Sequence, residues 1–119
     1  MGPIIYVQIS KNRIHLRDIS SRQEITVTPD SPFTTARLLV GEFVPYESGL
    51  KKGLAQLVKK GIFRPAPTLV VHATEMNQGG LCELERRVLQ EGALGMGAKK
   101  AVVYEGASLT DQQVLDLVK

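Results

Sequence analysis

The sequence predicts an α/β domain built on a five-stranded mixed sheet of order 3-2-1-4-5, with about three helices on its two faces. Three observations carry this. Three short β-rich runs joined by tight turns open the chain, over residues 4–9, 13–17 and 24–28. Between residues 64 and 106 an apolar run, a charged amphipathic segment and a second apolar run succeed one another. Strand, helix and strand of this length form a right-handed crossover with parallel strands. Two further helical patterns, one near Leu50 and one after Ser108, supply the remaining cover.

Residues 4–9 (IIYVQI) read as a strand, and residues 13–17 (RIHLR) alternate apolar and polar as a half-buried strand does. Ser10, Lys11 and Asn12 between them are hairpin-sized. Residues 24–28 are rich in β-branched side chains and stop at Pro29, with residues 20–23 as the second turn. The result is an antiparallel meander with Ile14, Leu16, Ile25 and Val27 on its core face. Residues 29–49 are the least regular, holding three prolines and two glycines. Residues 34–40 within them read equally as a short helix or a strand. Long loops tend to be functional or mobile, but the plainer reading here is a linker into the first helix. There Leu50, Leu54, Leu57 and Val58 fall at i, i+4, i+7 and i+8, an amphipathic helix with Ser48 as N-cap and Gly61 as its terminal glycine.

Prolines lead into residues 68–73 (TLVVHA), short and β-branched enough for a buried strand. Asn77, Gln78, Gly79 and Gly80 form a loop. A helix over about residues 81–94 follows, with Leu81, Leu84 and Val88 as its stripe and Glu83 and Arg87 as an i,i+4 pair. Gly95-Met96-Gly97 stops it, and residues 101–104 form the parallel partner strand. The last segment starts Ser108-Leu109-Thr110-Asp111, which resembles a capping box, and turns Val114, Leu115 and Val118 inward.

The same central stretch carries a resemblance. RPAPTLVV at 64–71, followed by ELERRVLQEGALGMGAKKAVVYEGA at 83–107, resembles the first subdomain of MreB. MreB is the rod shape-determining bacterial actin of the actin/Hsp70 ATPase superfamily. There an RPxPxV strand leads to an ERRA-type helix, a GAGA turn, and a strand running into an acidic-Glu-Pro loop. The likeness covers about forty residues well, extends weakly into residues 50–63, and more weakly into the first thirty. The order of elements read above is also that of the ribonuclease H-like/actin-type half domain. The resemblance implies that fold over residues 1–119 as one domain, with residues 29–49 in place of the family's small insertion subdomain.

In that family an Asp-x-Gly-Thr hairpin holds the ATP phosphates and magnesium. Matching residues 10–14 to the family's Thr-Ala-Asn-Thr-Leu puts Val7 at the aspartate, Ile9 at the glycine and Ser10 at the threonine. An apolar side chain cannot order a metal's waters, and a β-branched one blocks the backbone approach that glycine allows. The acid that positions the attacking water would be the second Glu of a Glu-Glu-Pro loop. Glu105 matches the first Glu, and Gly106 stands at the second. The family's second, glycine-rich phosphate loop would come after Lys119. The expectation is therefore a degenerate nucleotide site, no catalytic residue and no cofactor.

Other chemistry finds little footing. His15 and His72 lie within strands and read as packed or surface histidines, and Cys82 as a small buried hydrophobe. No second thiol or histidine spaces them into a zinc site, so no metal is expected. Ribonuclease H-type catalysis needs carboxylates converging on two metals, and the matching strand positions hold Val7, Ile9 and His15. Asn77, Gln78, Gly79 and Gly80, at a helix start, are a possible anion loop, with an ordinary loop as the favoured reading.

The chain of 119 residues is 43% hydrophobic and 23% charged, values of a globular protein, with one cysteine and so no internal disulfide. A reducing cytoplasm is the expected compartment. No apolar run approaches the ~20 residues of a membrane helix. The net charge of +3 is spread over basic pairs, the usual dress of solvated helix faces. Lys52, Lys59 and Arg64 are the candidate basic patch. Nucleic acid would call for a concentrated stripe with aromatics to stack bases, and the six aromatics are not interleaved with the pairs. The reading is a non-catalytic, MreB-like binding or scaffold domain with a protein partner in cytoskeletal or envelope machinery, and with self-association open. A nucleic-acid-binding protein of ribonuclease H-like fold and a small-ligand or nucleotide sensor with a rebuilt pocket are the rivals.

Overall fold

A computed structural model describes residues 4–29, 31–35, 38–59, 67–75 and 83–118, the side chains of Val58 and Lys59 aside. Five strands, β1 (Ile4–Ser10), β2 (Arg13–Asp18), β3 (Glu24–Val27), β4 (Thr68–Ala73) and β5 (Lys100–Tyr104), form one sheet of order β3-β2-β1-β4-β5. β1, β2 and β3 pair antiparallel, with Val7 opposite Leu16 and Leu16 opposite Ile25. β4 pairs parallel with β1 on one side and with β5 on the other. This is the sheet and strand order expected from the sequence.

Alternation divides the strand residues between two faces. Ile5, Val7, Ile9, Ile14, Leu16, Leu69, Val71 and Ala73 point to one face and are fully buried. Two helices cover it: α1 (Phe43–Lys59) with Tyr46, Leu50 and Leu57, and α2 (Glu83–Gly95) with Leu89 and Ala93. Each fully buried aliphatic side chain contributes about 1.5–3 kcal/mol, so this layer holds most of the stabilising burial. α1 lies directly on the meander. A Cβ at Gly53 would come 2.6 Å from Leu16 Cδ1 and 3.1 Å from Val27 Cγ2, so a larger residue there would have to push these side chains aside. On the opposite face α3 (Asp111–Leu117) packs Val114 against Tyr6, Ile19 and Val70. It covers the β1–β4–β5 side and leaves the outward face of β2 and β3 largely polar.

Several elements differ from their sequence reading. α1 begins at Phe43, ahead of Ser48, which sits inside the helix and does not cap it. The segment expected to be irregular through Gly49 is thus helical from Phe43. Pro45 is tolerated because it falls in the first turn, where its missing N–H has no intrahelical partner to serve. The described residues of the 34–40 run form neither helix nor strand. Leu39 and Val40 of this run, with Phe33 just before it, are buried in the main core. In α2 the inward stripe is Val88, Leu89, Gly92 and Ala93, continued by Met96, and Leu84 is 63% exposed. Small residues there admit the Tyr46 ring, a signal invisible to a reading that counts only large apolar side chains. Arg87 does not pair with Glu83; Arg86, beside it, bonds Glu105 at 2.9 Å. The α3 cap is Thr110 with Gln113 in a reciprocal capping box, two residues along from the expected one. Gly61 and Leu81 lie outside the described residues.

Candidate functional site

The uncovered part of the outward face is the candidate site. Gln8 and Ser10 from β1, Arg13 and His15 from β2, and Thr26 from β3 line a shallow depression of about 490 Å³, with Thr74 and Ser108 at its rim. The register explains the grouping: Ser10 stands opposite Arg13, Gln8 opposite His15, and His15 opposite Thr26. The Thr74 N–H and hydroxyl both bond the Ile9 carbonyl, at 2.9 Å each, which sets Thr74 beside the end of β1. Among the described residues the lining is hydroxyl, amide, imidazole and guanidinium, without a carboxylate.

Along one border the polar groups satisfy each other. His15 places Nδ1 2.9 Å from the Thr26 hydroxyl and Nε2 2.8 Å from Glu24 Oε1. Arg17 donates from Nε and Nη2 to the two carboxylate oxygens of Asp111, both at 3.1 Å, and from Nη1 to Glu24 Oε2 at 3.2 Å. Hydrogen bonding to Asp111 raises the Arg17 pKa further above its ordinary value, with a smaller contribution from the Glu24 charge. With both ring nitrogens of His15 engaged by β3, the imidazole is not poised as a general base toward the depression.

On the other border, the loop carrying Ser108 is tied to the sheet through a buried histidine. His72, 1% exposed, has Nδ1 2.7 Å from the Tyr6 hydroxyl and Nε2 2.9 Å from the Gly106 carbonyl. The Tyr6 oxygen also accepts the Leu109 N–H at 3.1 Å. The Tyr6 hydroxyl therefore donates to Nδ1, and Nε2 carries the proton that it gives to Gly106. Tyr104 packs edge-on to the imidazole and donates its own hydroxyl to the Ala107 carbonyl at 2.9 Å. Desolvation pushes the His72 pKa below its ordinary value, opposed by the bond to Gly106. Desolvation likewise raises that of Tyr6, against the Leu109 N–H. Both groups are neutral at pH 7, and their role is to hold residues 105–110.

The sequence-derived positions scatter across this geometry. Val7 and Ile9 are fully buried on the opposite side of the sheet, beneath α1 and α2. Ser10 lies in the depression. Glu105 is engaged by Arg86, and Gly106, at φ +140°, offers its carbonyl to His72. Asn77, Gln78, Gly79, Gly80, Cys82 and Arg64 lie outside the described residues, as does the side chain of Lys59. Lys52 is exposed on α1, at the edge of a separate shallow pocket with Val44, Pro45 and Pro29. Among the described residues no three His, Cys, Asp or Glu side chains gather as metal ligands, and no helix is long and apolar enough to cross a membrane.

No protein-family model matches the chain. It is 35% identical over 125 residues to "Uncharacterized protein YjaA" of Escherichia coli (strain K12), a match spanning 98% of this chain and 97% of that protein. The chain belongs to the YjaA family. The likeness runs along nearly the whole length of both chains. Sequence reasoning passed over Arg13, Thr74 and Ser108 in this YjaA-family chain. The period-2 alternation of β2 was a signal for Arg13, since it puts Arg13 on the face opposite Ile14 and Leu16. Nothing local marks Thr74 and Ser108, which reach the depression through the tertiary fold.

Proposed function

We propose that the chain is a non-catalytic binding module with a ribonuclease H-like/actin-type half-domain fold, related to the first subdomain of MreB, acting through protein partners in the cytoplasm. Strand order 3-2-1-4-5, with an antiparallel meander followed by two parallel crossovers, supports the fold assignment. The quoted motif residues support it too: the strand after RPAP is β4, ELERR opens α2, and AVVY lies in β5.

The observation that carries the non-catalytic reading is the burial of Val7 and Ile9. At the positions where the resemblance places a metal-ordering carboxylate and a phosphate-approach glycine, both side chains are fully buried in the main core. They serve packing, and neither reaches solvent to meet a metal or a phosphate. The Glu105–Gly106 pair is likewise committed, to Arg86 and to His72. Cell-shape or envelope machinery is the setting that the resemblance suggests.

Titration calorimetry with ATP·Mg²⁺ tests this. No saturable heat is expected at millimolar nucleotide. A micromolar dissociation constant would overturn the reading and favour a nucleotide sensor.

A further inference from the structure

We propose that the Arg13 end of the open sheet face is a docking site for an acidic segment of a protein partner. The proposal rests on the binding-module reading and supplies the chemistry of the partner.

β2 presents Arg13, His15 and Arg17 on one face at alternate positions. Two of the three are satisfied inside the chain. Arg17 holds Asp111 and Glu24, and His15 holds Glu24 and Thr26. Arg13 has no hydrogen-bond or ion-pair partner among the described residues, and neither do the hydroxyls of Ser10 and Ser108 that share its depression. A guanidinium and two hydroxyls without such partners, in a lining whose described residues include no carboxylate, fit an incoming anion. The planar fork of arginine favours a two-oxygen acceptor.

The molecule already uses this device once. α3 is seated on the same face with its first-turn Asp111 gripped side-on by Nε and Nη2 of Arg17. Arg13 lies four residues along the same strand, about 13 Å away at ~3.3 Å per residue. That spacing suits one more segment laid beside α3, since a helix with its side chains is about 10–12 Å across. A carboxylate on such a segment would make with Arg13 the pair that Asp111 makes with Arg17.

The surroundings favour single carboxylates over a phosphate backbone. Among its described lining residues the depression has no aromatic side chain on which bases would stack. Three acids sit on its neighbours: Glu24 bonds His15, Asp111 bonds Arg17, and the Glu75 carboxylate accepts the Lys11 N–H at 3.0 Å. A dense polyanion meets these three acids, whereas a segment with one or two acidic residues need not.

The test is amide chemical-shift mapping on the full chain, with a synthetic peptide carrying two acidic residues among neutral ones as the probe and its Asn/Gln counterpart as control. Saturable shifts centred on Ser10, Arg13, Thr74 and Ser108 are expected with the acidic peptide only. Arg13→Glu should weaken binding by at least about tenfold, and Arg13→Lys by less, because lysine keeps the charge but loses the fork. Arg13 is exposed, so the substitution should leave the spectrum otherwise native. If Arg13→Glu misfolds, Ser108→Asp supplies the same repulsion from an exposed loop and should weaken binding too. Shifts centred on Lys51 and Lys52, no shifts at millimolar peptide, or equal binding by these variants would overturn the proposal. So would inorganic phosphate or a single-stranded oligonucleotide shifting the same amides at lower concentration. Failure here with ATP·Mg²⁺ still unbound would leave the binding-module reading standing with its surface elsewhere, while saturable ATP binding would sink that reading whatever the peptide does.

Discussion

Asn12 and Thr34 exchange a reciprocal pair of hydrogen bonds. The Asn12 N–H donates to Thr34 Oγ1 at 2.9 Å, and the Thr34 N–H donates to Asn12 Oδ1 at 2.8 Å. The same carboxamide oxygen accepts the Phe33 N–H at 2.9 Å, and the Thr34 hydroxyl donates a hydrogen bond to the Leu39 carbonyl at 2.7 Å. Asn12 does this from φ 51°, the left-handed region that asparagine tolerates better than most residues. The tip of the first hairpin thereby holds the segment that delivers Phe33, Leu39 and Val40 to the core.

Two substitutions at Asn12 separate its roles. Asn12→Gly keeps the backbone freedom but orphans the Phe33 and Thr34 N–H groups, at a cost of about 1–3 kcal/mol. Asn12→Ala adds left-handed strain, about 1 kcal/mol more. Urea unfolding should therefore rank wild type above Gly above Ala. An Ala variant as stable as wild type would show that the carboxamide does not hold this segment.

His72 makes stability depend on pH, and the sign follows from its burial. Its folded-state pKa is lowered from the ordinary 6.5, chiefly by desolvation, so the native state favours the neutral ring. The stabilisation from that neutral ring is fully present above pH 6.5 and is lost as pH falls through the lower folded-state value. Comparing wild type with His72→Gln isolates the contribution from that of the carboxylates. The wild-type curve should fall more steeply below pH 6.5, and amide exchange in residues 105–110 should accelerate there first. Parallel curves would mean that His72 is not buried neutral.

Much of this fold is legible in the sequence because strands declare themselves by alternation. Val7 and Leu16 on one face, with Gln8 and His15 on the other, are readable without coordinates. The parallel pairing of β4 with β5 follows from the length of the segment between them. The start of α1 was not legible, because Pro45 and Gly49 read as breakers. Pro45 is harmless in a first turn, and Gly49 sits so close to the sheet that a Cβ would come 2.8 Å from Ile14 Cδ1. The site was less legible than the fold. Arg13, Thr74 and Ser108 come from three separate parts of the chain, and what unites them is tertiary: a bond from Thr74 to Ile9, and a loop pinned by His72.

The meeting of α1 and α2 gives a third prediction. The fully buried Tyr46 ring lies against Gly92, donates its hydroxyl to the Leu89 carbonyl at 2.8 Å, and takes Phe33 edge-on at 5.9 Å between centroids. A Cβ on Gly92 would overlap the ring. In an exposed helix interior Gly→Ala stabilises by about 1 kcal/mol. Here it should destabilise by about 1–3 kcal/mol as an overpacking change. Tyr46→Phe should cost about 1 kcal/mol by loss of one neutral hydrogen bond. Thermal unfolding of both variants checks this, and a stabilised Gly92→Ala would show that the ring has room to move.

The basic pairs decide the nucleic-acid rival. Lys52 and Lys59, seven residues apart, share a face of α1 by helical period. Lys51, next to Lys52, already leans on Glu47 at 3.7 Å, the ordinary behaviour of a solvated helix face. Phosphate contacts would make log affinity fall linearly with log salt, by about 0.9 per contact on duplex. A few scattered lysines without stacking aromatics give a small intercept and no sequence preference. Fluorescence anisotropy with labelled single- and double-stranded oligonucleotides should therefore show weak binding at ~50 mM salt and none at ~200 mM. Lys52→Glu/Lys59→Glu should abolish the low-salt binding without altering the amide shifts caused by an acidic peptide at Arg13, since Lys52 does not line that depression. Tight binding that survives the higher salt and collapses in the double variant would make nucleic acid the partner and α1 its surface.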